Sequence, residues 1–70
     1  MKYTVILEPT PTGFSAYIPD LPGCVAAGAT RKETLTLLRE GLELHLDAMR
    51  RDGEVIPSPA SIADVVEIAA

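Results

Sequence analysis

The first half of the chain contains three short segments in which apolar residues recur at the spacing of β-strands. Apolar and polar residues alternate through residues 2–8 and again through 14–18, which is the two-residue period of a strand with one buried face. Residues 9–13 between them contain two prolines and a glycine, which favour a turn. We therefore predict an antiparallel hairpin, followed by a short third strand at 24–27, where small apolar residues cluster.

A single long helix is predicted in the middle of the chain. Thr30 and Glu33 have the T-x-x-E spacing of a capping box, in which side chains satisfy the free amides at a helix start. No proline follows before the pair Asp52-Gly53, and a glycine in this position is typical of a helix end. The helix should therefore begin at Thr30 and run to about Arg51.

The end of the chain predicts an extended connection and then a last strand. Residues 56–59 read Ile-Pro-Ser-Pro, which is too rich in proline for a helix. The β-branched residues Val65, Val66 and Ile68 favour a strand, with a helix over residues 61–69 as the alternative. The predicted fold class is α+β. It comprises an antiparallel three-stranded sheet, one long helix and a final strand, in the order β-β-β-α-β.

Two apolar stripes run along the predicted helix. At ~100° per residue they span roughly 200° of its surface, about twice the arc that one small sheet covers. The first stripe consists of Leu35, Leu38, Leu42, Leu46 and Met49, and the second of Leu37, Gly41, Leu44 and Ala48. The second stripe could lie beneath the proline-rich segment and last strand of the same chain, or it could pack against another chain. We expect self-association through the second stripe, with Gly41 and Ala48 permitting close approach.

The length of the chain also favours association. Seventy residues allow one domain at most, and a core of this size supplies only roughly 3–5 kcal/mol. Cys24 is the only cysteine and His45 the only histidine, so neither a disulfide nor a zinc site is expected to supplement the core. We expect one domain over residues 1–70, no C-terminal DNA-binding domain, and a dimer or tetramer.

The charge balance limits the possible partners. Ten acidic and six basic residues give a formal net charge of −4, which argues against direct binding to nucleic acid and suits a basic protein partner. No apolar stretch approaches the roughly 18 residues that span a membrane, and no secretory signal opens the sequence. A cytoplasmic location, without membrane contact, is the resulting expectation.

The residue patterns that carry catalysis or cofactor binding are not recognisable. Cys24 lies among small apolar residues and is predicted to serve packing. His45 has no obvious catalytic partners and is predicted to be a hydrogen-bonded core or interface residue. The carboxylates that could in principle meet at a metal are Glu8, Asp20, Glu33, Glu40 and Glu43. Those of the helix belong to its solvated face, so we expect no enzyme activity, no cofactor and no metal.

Several short motifs follow one another in a distinctive order. They are Leu7-Glu8, Gly13-Phe14-Ser15-Ala16, Ile18-Pro19-Asp20-Leu21-Pro22-Gly23-Cys24, Gly28-Ala29-Thr30 and Ile56-Pro57-Ser58-Pro59. Together they cover nearly the entire chain and resemble the HicB family of antitoxins. The resemblance implies a partial RNase H-like fold, which agrees with the element order predicted above. Likeness of fold to a nuclease does not imply nuclease activity.

The resemblance further implies a protein-binding function. HicB-family members typically form oligomers and neutralise HicA, a small basic toxin that cleaves messenger RNA, by covering its surface. The chain is thus predicted to be the antitoxin-like module of a type II toxin–antitoxin system. The alternative is a solitary HicB-like oligomeric domain with a scaffold or sensing role and no toxin. A third hypothesis, residual nuclease activity, would depend on Glu8 or Asp20.

Overall fold

A computed structural model of the chain describes residues 1–69, which form a three-stranded antiparallel sheet and one helix. The elements are β1 (Ile6–Thr10), β2 (Gly13–Tyr17), β3 (Val25–Gly28) and α1 (Arg31–Arg51). The predicted α+β class and the predicted sheet followed by one long helix are confirmed. The single domain predicted over residues 1–70 includes residue 70, which lies outside the described residues.

The hairpin of β1 and β2 is tighter than the sequence predicted. Thr10 pairs with Gly13, so residues 11–12 alone form the turn, and Pro9 lies within β1 opposite Phe14. The prediction of a strand over 2–8 and a loop over 9–13 was therefore wrong in its bounds, because β1 begins at Ile6 and continues through Pro9, and Gly13 already belongs to β2. Proline is tolerated within β1 because it is an edge strand, since the sheet order is β1-β2-β3.

The loop between β2 and β3 consists of two consecutive turns. The amide of Leu21 donates to the carbonyl of Ile18, and the amide of Cys24 donates to that of Leu21. Each turn has a proline as its second residue, and Gly23 has φ of 88° in the second turn, which a side chain would disfavour. The loop buries Leu21, which is only 2% exposed.

Both ends of α1 are capped as predicted. Thr30 precedes the helix and its hydroxyl accepts a hydrogen bond from the amide of Glu33 at 3.1 Å. At the other end, Gly53 has φ of 70° and its amide donates to the carbonyl of Arg50. The amide of Glu54 donates to the carbonyl of Met49 at 2.9 Å, which completes a Schellman motif.

The helix packs against β2 and β3 through a narrow line of buried residues. Leu38 and Leu46 join the core, together with Ala16 of β2. Thr34 is fully buried, and its hydroxyl donates to the carbonyl of Thr30 at 2.8 Å. A Cβ on Gly28 would lie 2.8 Å from the hydroxyl oxygen of Thr34. The close approach of the helix to β3 therefore requires a glycine at position 28.

The predicted final strand is not formed in the described part of the chain. Residues 54–69 contain neither a helix nor a strand, so the alternative helix over 61–69 is also absent. Val65 and Val66 are 90% and 83% exposed, and a strand cannot form without a neighbour to accept its hydrogen bonds. We call residues 62–68 the C-terminal arm.

Candidate protein-binding surfaces

The second predicted stripe of α1 lies on the surface. Leu44 is 70% exposed and Leu37 is 43% exposed. Gly41 and Ala48, which alternate with them along the stripe, are also exposed. No atom outside the helix lies within 4 Å of a Cβ built on Gly41. The stripe is therefore not covered by the proline-rich segment, and we call these four residues the exposed stripe.

The first predicted stripe faces the core along most of its length. Leu38 and Leu46 are buried, and Leu42 and Met49 are half-buried against the core. Leu35 is 37% exposed, so the stripe leaves the core at its N-terminal end. The apolar pattern of the sequence did not predict that Thr34 is buried. Its hydroxyl can be buried because it donates a hydrogen bond to the carbonyl of Thr30.

A row of acidic residues runs beside the exposed stripe. Glu33, Glu40 and Asp47 are all exposed and lie seven residues apart, so they follow one line along the helix. This line lies on the side of the stripe that is remote from the core. Asp47 accepts a hydrogen bond from Arg50 at 3.1 Å, and such an exposed pair contributes little to stability. We call these three residues the acidic row.

The turn at Asp20 holds the segment that follows the helix. One carboxylate oxygen accepts hydrogen bonds from the amides of Ala60 and Ser61, at 3.0 and 2.9 Å. The other oxygen accepts from the hydroxyl of Ser61 at 2.7 Å. These bonds, led by the one from Ala60, hold the pKa of the Asp20 carboxyl below its usual value of 3.8. We call this arrangement the Asp20 clamp.

Residues before β1 reinforce the same attachment. The hydroxyl of Thr4 donates to the carbonyl of Ser61 at 2.6 Å, and that of Tyr3 donates to the carbonyl of Pro57. Ile56 packs against the core. Residues 56–61 are therefore fixed to the sheet end of the domain, whereas the C-terminal arm beyond them is exposed.

Asp20 was predicted as one of several carboxylates that could in principle meet at a metal, and as a residue on which residual nuclease activity would depend. Its carboxylate instead binds backbone amides, and within residues 1–69 no three His, Cys, Asp or Glu side chains lie together in a way that could hold a metal ion. The signal available in the sequence was the spacing of Pro19 and Pro22 around it, which is typical of consecutive turns. The partner of that turn, 40 residues further on, was not apparent from local sequence.

Cys24 lies in the core, whereas His45 is only half-buried. Cys24 is 5% exposed within the core, and burial raises the pKa of its thiol. His45 is half-buried on α1. Within residues 1–69, no helix is both long enough and apolar enough to cross a membrane.

Comparison with known proteins gives the family of this chain. The chain is 36% identical over 58 residues to a UPF0150 protein of Thermoplasma acidophilum, covering 81% of this chain and 84% of that protein. It is 33% identical over 61 residues to Antitoxin HicB 2 of Photorhabdus laumondii, covering 87% of this chain and 44% of the antitoxin. It is 30% identical over 66 residues to an uncharacterized 14.9 kDa protein of Haemophilus phage HP1, covering 94% of this chain and 50% of that protein.

The chain thus spans about half the length of two of these relatives and most of the third. The family model described as the HicB-like antitoxin of bacterial toxin–antitoxin systems matches residues 3–69. That range includes all four elements and the Asp20 clamp. This chain therefore belongs to the HicB-like antitoxin family.

Proposed function

We propose that this protein is the antitoxin of a type II toxin–antitoxin pair and that it neutralises a small basic HicA-type toxin by covering its RNA-binding or catalytic surface. Family membership supports a toxin partner and favours a non-enzymatic role. Because the chain covers less than half of the HicB antitoxin it matches, its partner and its mechanism are our own proposal. The action takes place in the cytoplasm, where a toxin that cleaves messenger RNA has its substrate.

The observation that carries this proposal is the combination of apolar and acidic surface on one helix. The exposed stripe offers Leu37 and Leu44 for burial, and the acidic row runs beside it. Apolar contacts supply affinity, whereas opposite charges accelerate encounter and select the partner. The net charge of −4 gives the molecule as a whole the same preference for a basic protein partner.

We also propose self-association through the exposed stripe. Large and small residues alternate along it, in the order Leu37, Gly41, Leu44, Ala48. When two such helices pack antiparallel about a two-fold axis, Leu44 lies opposite Gly41 of the second copy and Leu37 lies opposite Ala48. Each large side chain then meets a small one, which allows the helices to approach closely.

The two associations respond to salt in opposite directions. Binding to a basic toxin weakens as salt rises, because screening removes attraction between opposite charges. Antiparallel packing of two copies brings the acidic rows together, so screening strengthens it. The exposed stripe cannot hold both partners at once, and toxin binding is therefore expected to compete with self-association there.

The proposed function is tested by co-expression with the product of an adjacent gene that encodes a small basic protein. We expect the toxin alone to arrest growth, and the pair to restore growth and to co-purify as a complex that dissociates at high salt. Failure of both rescue and co-purification would remove the antitoxin proposal. Rescue without co-purification would exclude occlusion as the mechanism.

A second candidate is a solitary oligomeric domain with a scaffold or sensing role. It is favoured by the match to the Thermoplasma acidophilum relative, which this chain covers over 84% of its length and whose name mentions no toxin. An adjacent gene for a basic protein distinguishes the two candidates. Its absence, together with a stable oligomer, favours the scaffold.

A further inference from the structure

The C-terminal arm has the sequence of a buried strand and the exposure of a linker. Ile62, Val65, Val66 and Ile68 are 90%, 90%, 83% and 78% exposed. β-branched residues at this density are typical of strands that are covered on at least one face. Linkers have few such residues and are rich in small polar ones. The sequence of the arm is therefore suited to a strand that is paired and covered, and within residues 1–69 the arm has no strand or helix as a neighbour.

The whole molecule exposes more surface than a compact domain of its mass. Its accessible surface is 5474 Å² for 7.5 kDa, whereas a compact monomer of this mass exposes about 4,200 Å². The radius of gyration is 13.9 Å, against about 11 Å for a compact chain of this length. The excess surface, roughly 1,200 Å², exceeds the ~800 Å² that each partner contributes to an interface of standard size.

The arm leaves the domain at one end of the sheet, and the β3 edge of this sheet is open. Ser61 is bonded there both to Asp20, in the loop that joins β2 to β3, and to Thr4, which precedes β1. The amide of Ile18 donates to the carbonyl of Cys24, so Cys24 directs its backbone groups towards β2. The direction alternates along an antiparallel strand. Val25 and Ala27 therefore direct their amide and carbonyl groups away from β2, towards the open edge. Within residues 1–69 no strand pairs with this side of β3. β1 is a poorer edge, because Pro9 lacks an amide donor.

We infer that the C-terminal arm adds as a strand to the β3 edge of a second copy, and that the two copies exchange arms. The occupant is a second copy because every copy carries both the exposed arm and the open β3 edge, and because the surface in excess of a compact monomer is large enough for one interface of standard size. Exchange is reciprocal, so one two-fold axis closes the dimer and covers both β3 edges. β3 and the segment Val65–Ile68 each contain four residues. Pairing them as strands would give hydrogen-bond partners to the free amide and carbonyl groups of both segments.

This inference rests on the proposed self-association but uses a surface other than the exposed stripe. Two different two-fold interfaces on one chain generate a closed tetramer when their axes are perpendicular and intersect. Loss of the stripe interface alone leaves a dimer joined by exchanged arms, and loss of both interfaces leaves a monomer.

The test compares Val65→Asp/Val66→Asp with Ala63→Asp/Ala69→Asp, which adds the same charge at small residues in the arm and directly after it. Light scattering gives the mass of each oligomer, and circular dichroism verifies the fold, which arm residues outside the core should not affect. Amide hydrogen exchange by NMR is measured at Val66, Ile68, Val25 and Ala27. In the unaltered protein we expect all four amides to be protected. The valine variant should have half the mass and lose protection at the β3 edge by roughly tenfold or more, and the alanine variant should retain both.

Three outcomes would overturn the inference. The first is rapid exchange of the arm amides in the unaltered protein at high concentration. The second is protection that persists in a species of monomer mass, because the arm would then pair with its own sheet. The third is an unchanged mass for the valine variant. The variant Leu44→Glu distinguishes failure of this inference from failure of the proposed stripe interface. It should abolish only the stripe interface and leave the amides of Val25 and Ala27 protected.

Discussion

Ser61 donates both its backbone amide and its hydroxyl to the carboxylate of Asp20, at 2.9 and 2.7 Å, across 41 residues of sequence. A neutral amide in place of the carboxylate accepts through one oxygen only, and its NH₂ group would face donors. Asp20→Asn should therefore lower the melting temperature. Glu67→Gln, which removes a carboxylate from the exposed arm, is the control and should change it little. Equal melting temperatures for both variants would show that the clamp does not contribute to stability.

The clamp should also make stability depend on pH. Hydrogen bonds from Ala60 and Ser61 lower the pKa of Asp20 in the folded protein. Its contribution is therefore fully present above the unfolded pKa and is lost as the pH falls through the lower, folded pKa. Denaturant unfolding of the unaltered protein and of Asp20→Asn should differ at pH 7 and converge as the pH falls well below 4. A difference that is constant across this range contradicts the assignment of the pKa shift to the clamp.

Two glycines should respond oppositely to alanine. At Gly28 a methyl group would contact the hydroxyl and the amide nitrogen of Thr34, at 2.8 and 3.1 Å, and we expect Gly28→Ala to destabilise the fold by about 1–3 kcal/mol. At Gly41 nothing lies within 4 Å, and Gly41→Ala should stabilise the helix by about 0.5–1 kcal/mol. Denaturant unfolding at low protein concentration measures both. A stable Gly28→Ala variant would show that the helix can move away from β3.

Leu44→Glu tests the exposed stripe. Leu44 is 70% exposed, so the variant should fold normally, whereas a charge in the proposed interface is left buried and unpaired. We expect self-association through the stripe to weaken by at least roughly a hundredfold, because burial of such a group costs several kcal/mol. Thr36→Glu, which adds the same charge on another face of α1, should not alter it. Sedimentation equilibrium measures both variants, and an unchanged oligomer for Leu44→Glu would show that the stripe is not the interface.

The antiparallel arrangement makes a prediction about cross-links. In a Cys24→Ala background, Leu37→Cys and Ala48→Cys should each remain uncross-linked alone, because equal positions lie about 16 Å apart along the helix axis. A mixture of the two variants should form a disulfide-linked heterodimer under mild oxidation. Gel electrophoresis without reductant distinguishes the cases. Homodimers of each variant alone would indicate parallel helices.

Features that depend on local chemistry were predictable from the sequence. The cap at Thr30, the stop at Gly53 and the alternation that places Tyr3, Val5 and Leu7 against the core all follow from neighbouring residues. The exposed stripe was predictable for a related reason, since its apolar arc is wider than one small sheet can cover.

Features that depend on distant partners were not predictable. Pro9 reads locally as a turn residue, and only its position on an edge strand makes it acceptable in β1. Val65 and Val66 read as a strand, but the described residues provide no neighbour for it. The role of Asp20 arises from amides 40 and 41 residues away, and no local pattern contains that information.

The burial of Cys24 has a consequence for handling and for physiology. Its thiol is 5% exposed and burial raises its pKa, so at neutral pH it is protonated and reacts slowly with oxidants. The chain contains no other sulfhydryl group with which it could pair. The assembly should therefore keep the same composition in the presence or absence of dithiothreitol, and oxidative stress would have to act on it through a different molecule.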